Sequence, residues 1–382
     1  MLQSLKAELF TRATIENMKW PETEDGDYAR RYLFPLVLNG PQTYIRNVHK
    51  TEMMIVKIGE TVLPLTVTDF HPENTFTCSP YSHYISYGGY EEVQRLKNPP
   101  LEWLIKLLLH PLAWYFRQSS FDRAVYVNNW LLSTNLYPKL TPEQINTLSE
   151  ALPAWFPDRA IVFRSVDNFR NPILYNNLLG KRYKMVLSRQ VWYQDPQVAL
   201  RKKDTKGDFR VLRRAPYEII AGSQLSDSDL ERALDLYKFL YLDKYSPYNP
   251  QFTRRFLQLC RDESLLHLKA LRLDGQINAV LGFFIRNGAM TTPFFGYDTH
   301  LPQSEGLYRM LSALIFQEAQ ARGLLVHASA GVGKYKKTRG GQPVIEYNAA
   351  FTDHLPAQRR LPWALIQRIA NATIPVFRKY DL

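Results

Sequence analysis

The stretch Phe294–Arg322, FFGYDTHLPQSEGLYRMLSALIFQEAQAR, changes character twice. An apolar strand ends at Gly296, a polar loop follows, and a helix is expected from about Ser304. Leu307, Met310, Leu311, Leu314 and Ile315 recur at three- and four-residue spacing, which puts one apolar face on a sheet. A helix fed directly by a strand presents unpaired backbone N–H groups and the positive end of its dipole. That is a cradle for phosphate-bearing ligands.

Upstream, Leu265–Leu273 and Gln276–Ile285 flank Asp274-Gly275, a hairpin turn whose residues both tolerate positive φ. Helices are expected over Leu230–Tyr241, after Ser226 or Asp227, and over Pro250–Cys260, with a further strand at Met290–Phe295. Downstream come a strand at Leu324–Ala328, a Gly/Lys-rich loop and a last strand at Val344–Phe351. The first half contains a similar hairpin, Met53–Ile58 and Val62–Val67 split by Gly59-Glu60, which suggests a duplicated architecture. A Leu/Trp-rich helix near 101–116, ending near Pro111, is read as core packing, since it is too short and broken to span a bilayer. A strand at Ala124–Val127 follows it. A helix then starts after Thr141, a good N-cap followed by Pro142. Strands at Ala160–Arg164 and Tyr183–Tyr193 flank a helix at Pro172–Leu179. This alternation is that of an α/β chain. Residues 201–214, RKKDTKGDFRVLRR, hold seven basic and two acidic residues. They are read as a solvated crossover, with contact to an anionic ligand as the alternative.

A chain of 382 residues exceeds what one core usually organises, so two domains are expected, 1–200 and 201–382. With 45% hydrophobic and 22% charged residues, disordered and fibrous classes are excluded. The formal charge of +12 favours a partner bearing phosphates or carboxylates. Cys78 and Cys260 lie far apart, which argues against a disulfide framework and for a reducing, cytoplasmic compartment. The first residues lack an apolar signal segment. The histidines show no HxxxH spacing and the cysteines no CxxC, so no metal is expected.

Gln303-Ser304-Glu305-Gly306-Leu307-Tyr308 resembles the pyrophosphate loop of GNAT acyltransferases, Gln/Arg-x-x-Gly-x-Gly/Ala. Gln303 and Gly306 match. Tyr308 departs, with a ring in place of a small residue, and Glu305 puts negative charge beside the presumed phosphates. The order Leu271-Arg272-Leu273-Asp274-Gly275, Gly296-Tyr297-Asp298, Ala321-Arg322-Gly323 and Tyr335-Lys336 before Gly340 resembles the second domain of Fem-type, tandem-GNAT transferases. The resemblance covers about the last 180 residues well and implies two tandem GNAT-like α/β domains. Each would be a mixed, mostly antiparallel sheet flanked by helices.

It also implies direct acyl transfer to a small amine, with an acyl-CoA or acyl-carrier thioester as co-substrate and no tightly bound cofactor. The alternatives are an aminoacyl-tRNA donor and a non-catalytic ligand-binding protein. Candidate acids and bases are Asp298, His327, Tyr335 and Tyr297, because the amine must lose a proton and the leaving group gain one. Gln303, Ser304, Gly306, Leu307, Tyr308 and Lys336 are candidates for holding the donor, with Lys334 and Arg339 on the same loop. Cys78-Ser79-Pro80-Tyr81-Ser82-His83 gathers a thiol, hydroxyls and an imidazole. Tyr81 and His83 are its candidates for lining an acceptor pocket.

Overall fold

The computed structural model describes residues 5–91 and 99–380. Its strands are β1 (Ala7–Phe10), β2 (Thr51–Ile58), β3 (Thr61–Thr68), β4 (Ala124–Val127), β5 (Ala160–Val166), β6 (Lys184–Gln194), β7 (Glu218–Ala221), β8 (His267–Leu273), β9 (Gln276–Arg286), β10 (Ala289–Tyr297), β11 (Leu325–His327) and β12 (Gln342–Phe351). The chain divides into two units. One is the chain up to Ser188 with Ser246–Gln251 and Tyr347–Thr373, and the other is Arg189–Tyr245, Phe252–Glu346 and the residues from Ile374. The boundary expected at 200/201 therefore falls at 188/189, and neither unit is a single stretch of chain.

The reason lies in strand pairing. In the first unit β1, β2, β3 and β4 form an antiparallel run, β4 pairs in parallel with β5, and β5 pairs antiparallel with Tyr347–Phe351 of β12. In the second, β7, β8, β9 and β10 run antiparallel, β10 pairs in parallel with β11, and β11 pairs antiparallel with Tyr193-Gln194 of β6. The same mixed pattern occurs twice; the first unit takes its last strand from Tyr347–Phe351, far along the chain, and the second takes its own from Tyr193-Gln194, just after the boundary. A single linear cut cannot describe that return of the chain to the first unit.

Local chemistry sets the elements as the sequence suggests. Asp274 (φ 50°) and Gly275 (φ 79°) turn the β8–β9 hairpin with both residues left-handed. Thr141 Oγ1 accepts the Gln144 N–H at 3.2 Å while Gln144 Oε1 accepts the Thr141 N–H at 2.9 Å, a capping box that opens the helix Pro142–Trp155.

Two segments differ from expectation. The basic run is not a solvated linker: Lys203–Arg214 is a helix whose Thr205 and Asp208 are buried. The Leu/Trp-rich helix spans Pro99–Gln118 and passes through Pro111. Ala113 and Phe116 beyond the proline are buried in an apolar cluster with Phe121, Tyr126 and Trp363, so packing sustains the helix past its missing hydrogen bond. Its other face is not core, for Trp103, Leu107, Leu108 and Trp114 are exposed. Among the described residues no helix is long and apolar enough to cross a membrane.

Candidate active site

Parallel strands deliver their following loops to the same edge, so the pair β10/β11 fixes where chemistry can collect in the second unit. Their register runs Ala289↔Leu325, Met290↔Val326 and Thr291↔His327, after which β10 continues to Tyr297 without β11. A bulge between Thr291 and Phe294 in the β9 pairing bends β10 where the two strands part. Gly296 lies on the backbone of Leu236 and Tyr237, where a Cβ would come within 2.5 Å. The end of β10 is thereby pressed onto the helix Asp227–Tyr237.

Beyond β10 the structure corrects the helix start. Gln303–Glu305 form an exposed 3-10 turn, Gly306 is left-handed at φ 73°, and the helix runs Leu307–Ala321. Gly306 is needed twice over: L-residues resist that φ, and a Cβ would stand 2.9 Å from Val211 Cγ1. The Gly306 N–H is satisfied by Gln303 O and its carbonyl takes the Met310 N–H. That leaves Leu307, Tyr308 and Arg309 with the first-turn N–H groups that have no partner inside the helix. The Leu307 side chain is in the core, so only its amide can serve a ligand.

Charge at this helix start is set by Asp208, a residue outside the candidates that the sequence suggests. Its fully buried carboxylate accepts Arg309 Nε at 2.7 Å, Arg339 Nε at 2.6 Å, Arg339 Nη2 at 3.0 Å and the Tyr335 hydroxyl at 3.0 Å. Arg339 also lies 3.3 Å over the Tyr335 ring. Asp204 Oδ2 also lies 3.8 Å from Arg339 Nη1, so two guanidiniums and two carboxylates balance beside the helix start. The signal that could have found Asp208 is helical spacing within the basic run, which aligns Thr205, Asp208 and Leu212 on one face.

Tyr335 therefore has its proton committed to Asp208, and burial raises its pKa. Tyr308 packs against Phe295, Tyr297 and Tyr335 with ring centroids 5.4, 6.1 and 4.8 Å apart. Burial, then neighbouring tyrosines, push the Tyr308 and Tyr297 phenols upward, so both are protonated hydrogen-bond donors at neutral pH. The Tyr308 ring thus forms a cluster with Phe295, Tyr297 and Tyr335 at the helix start.

Asp298 is a loop cap. It accepts the His300 N–H at 2.9 Å and Arg232 Nη2 at 2.6 Å. Burial opposes its ionisation, but the His300 amide and Arg232 outweigh it and hold the carboxyl below its usual value.

His327 is buried on β11. Its Nδ1 accepts the Ser329 N–H at 3.1 Å, which leaves the Nε2 proton facing Glu346 at 3.6 Å. Glu346 also meets Arg189 at 2.9 Å. Lys336 Nζ is buried and donates to the carbonyls of Ser329 (3.2 Å) and Ala330 (2.8 Å), and burial, then Arg189, lower its pKa to about 7. These groups hold the loop after β11 in a strained path, with Ser329 at φ 56° and the β-branched Val332 at φ 44°. Lys336 thus faces carbonyls rather than open solvent, whereas Lys334 is exposed.

Burial works against the Glu346 charge, yet Arg189 and His327 outweigh it and hold the carboxyl at about 2, against 4.5 ordinarily. A carboxyl depressed on folding contributes stability that is complete above its unfolded pKa and lost as pH falls toward the folded one. The stability difference between the wild type and Glu346→Gln is expected to be about 3 kcal/mol near neutrality and to shrink between about pH 4.5 and pH 2. Urea midpoints across that range measure it, and a pH-independent difference would contradict the ion-pair network.

In the first unit Tyr81 and His83 enter a buried polar region. Asp122 accepts the Tyr81 N–H at 2.6 Å and the Ser79 hydroxyl at 2.7 Å, and burial raises its pKa to about 7. His83 Nε2 is 3.4 Å from Ser188 Oγ and its ring packs on Tyr84 at 4.5 Å. Burial pushes the Cys78 thiol up to about 12, the opposite of what a nucleophile needs. His49, His71 and Glu73 place ligand-type atoms within 4.8 Å of one another, a grouping no sequence spacing revealed.

Residues 199–337 match the Acetyltransferase (GNAT) domain family. No curated protein sequence matches significantly. Among solved structures, FemX is similar over 97% of this chain and 98% of its own, at 8% identity and a TM-score of 0.50. The C-terminal domain of a putative lysylphosphatidylglycerol synthetase from Agrobacterium fabrum matches over 60% of this chain and 77% of its own, at 15% identity and a TM-score of 0.45. A tandem GNAT protein from the clavulanic acid pathway matches over 92% and 99%, at 9% identity and a TM-score of 0.43. The fold is therefore similar to that of FemX over nearly the whole chain, and the GNAT match falls on the unit that carries β10, β11 and the Gly306 helix start.

Proposed function

We propose that the second unit transfers an acyl group from an anionic activated donor to a primary or secondary amine. The observation that carries this is the parting of β10 from β11 after Thr291 and His327, with β10 leading through a short loop to the glycine-capped helix start at Leu307. An extended donor arm fits between parting strands, where backbone groups can pair with its amides. Its phosphates meet the N–H groups of Leu307, Tyr308 and Arg309. The amine nitrogen attacks the carbonyl carbon, the carbon–sulfur or carbon–oxygen bond to the donor breaks, and the amine proton ends on the leaving group. The protonated Tyr297 and Tyr308 phenols are placed to hydrogen-bond the developing oxyanion and to supply that proton, which the amine's proton then replaces. Asp298, His327, Lys336 and Tyr335 position the surrounding loops. The leading donor is an acyl-CoA or a carrier-bound thioester.

One observation favours a second donor. With Asp208 engaged by Arg309 and Arg339, the segment 201–214 exposes Arg201, Lys202, Lys203, Lys206, Arg210, Arg213 and Arg214 against a single exposed acid, Asp204. Such a run suits the phosphate backbone of an aminoacyl-tRNA. Assaying amine acylation by the full chain with acyl-CoAs and, separately, with charged tRNA decides between them. Turnover with acyl-CoA that resists ribonuclease supports the first donor, and ribonuclease-sensitive turnover supports the second. Absence of transfer and of donor-induced thermal stabilisation in both cases would sink the transferase reading.

A further inference from the structure

The helix Pro99–Gln118 carries an apolar stripe on its outer side. Trp103, Leu107 and Trp114 recur at four- and seven-residue spacing with exposures of 67, 54 and 65%, and Leu108 beside them is 66% exposed. The inner side is anchored by buried Ala113 and Phe116. The stripe is therefore a built surface on a packed helix, about 16 Å long from Trp103 to Trp114. The only acid on the helix, Glu102, is paired with Lys106 at 2.6 Å, and exposed Arg117 lies near its end.

A second helix of the same apolar cluster adds to the pattern. Ala357–Ala372 packs through Trp363 and Ile366 and exposes Leu361 (59%) and Ile369 (43%) next to exposed Arg360 and Arg368. It contains no acidic residue.

We propose that this face docks on an anionic lipid surface, with Trp103, Leu107, Leu108 and Trp114 seated at the headgroup–acyl boundary and Arg117, Arg360 and Arg368 over the headgroups. Indole rings suit that boundary because one edge is apolar and the N–H is polar. Exposed apolar area of this kind on a soluble surface marks an interaction site. The charge selects the occupant. A second copy would bring the same uncompensated arginines together, whereas anionic headgroups complement them and the chain's +12 charge. The contact is peripheral, since among the described residues no helix is long and apolar enough to cross a membrane.

The test is co-sedimentation of the full chain with phosphatidylglycerol/phosphatidylcholine vesicles and with phosphatidylcholine alone, at low and high salt. The expected result is salt-sensitive binding to the anionic vesicles, with a blue shift of tryptophan emission. Trp103→Glu with Leu107→Glu should weaken it about tenfold or more while leaving the thermal midpoint unchanged, as should Arg360→Glu with Arg368→Glu. No binding by the wild type overturns the proposal, as does equal binding by the Trp103/Leu107 variant. A dimer in light scattering that the Trp103/Leu107 variant dissolves, without vesicle binding, assigns the face to a second copy instead.

Discussion

Asp208→Ala is expected to destabilise the second unit by about 3–5 kcal/mol, because it removes the closest, hydrogen-bonded counter-charge of buried Arg339. Arg339 is only 6% exposed and meets Asp208 through two nitrogens, at 2.6 and 3.0 Å. Its guanidinium would keep the Tyr335 ring, the Tyr335 carbonyl, Thr338 Oγ1 and Asp204 at 3.8 Å. Arg309 and the Tyr335 hydroxyl lose the same acceptor, so three elements loosen together: the helix Lys203–Arg214, the start of Leu307–Ala321 and the turn of helix at Gly333–Thr338. A fall in thermal midpoint of about 10 °C corresponds to that energy in a domain of this size. Adding Arg339→Met to Asp208→Ala should recover part of the loss, since the buried charge is then gone. A loss below about 1 kcal/mol would show that Asp208 is not the hub of the site.

Much of the fold could be read from the sequence because its signals are local. The Asp274-Gly275 turn, the Thr141 cap and the apolar spacing of Leu307 to Ile315 are decided by neighbours a few residues apart. The pairing of β12 with β5 could not be read, because it joins strands more than a hundred residues apart. The basic run 201–214 is a helix with one buried face rather than a linker, and counting charges hides Asp208, whose importance comes from Arg309 and Arg339, far along the chain. Among the site residues, Gly306 was marked by its place between strand and helix. Glu346 and Arg189 carried no motif, and only the register around β11 brings them to His327. The Pro99–Gln118 helix has an amphipathic pattern that is correct in period but ambiguous in direction: periodicity reports a stripe, not whether the stripe faces core or solvent.

Gly306→Ala is expected to raise the KM for the activated donor about tenfold or more while lowering stability by about 1–2 kcal/mol. The left-handed φ of 73° resists any side chain, and the new methyl meets Val211 Cγ1 at 2.9 Å. Val211→Ala relieves the contact but not the backbone strain, so the double variant should recover part of the stability and little of the donor affinity. A Gly306→Ala protein with unchanged KM would show that the helix start is structural only.

Donor recognition, as proposed, rests on the amides of Leu307, Tyr308 and Arg309 holding the anionic part of the donor. Amide chemical shifts of the full chain, titrated with whichever donor supports turnover, test this residue by residue. Saturable shifts at Leu307, Tyr308 and Arg309 that track the KM are expected. Saturation of the enzyme by a turned-over donor with those three amides unmoved would contradict it.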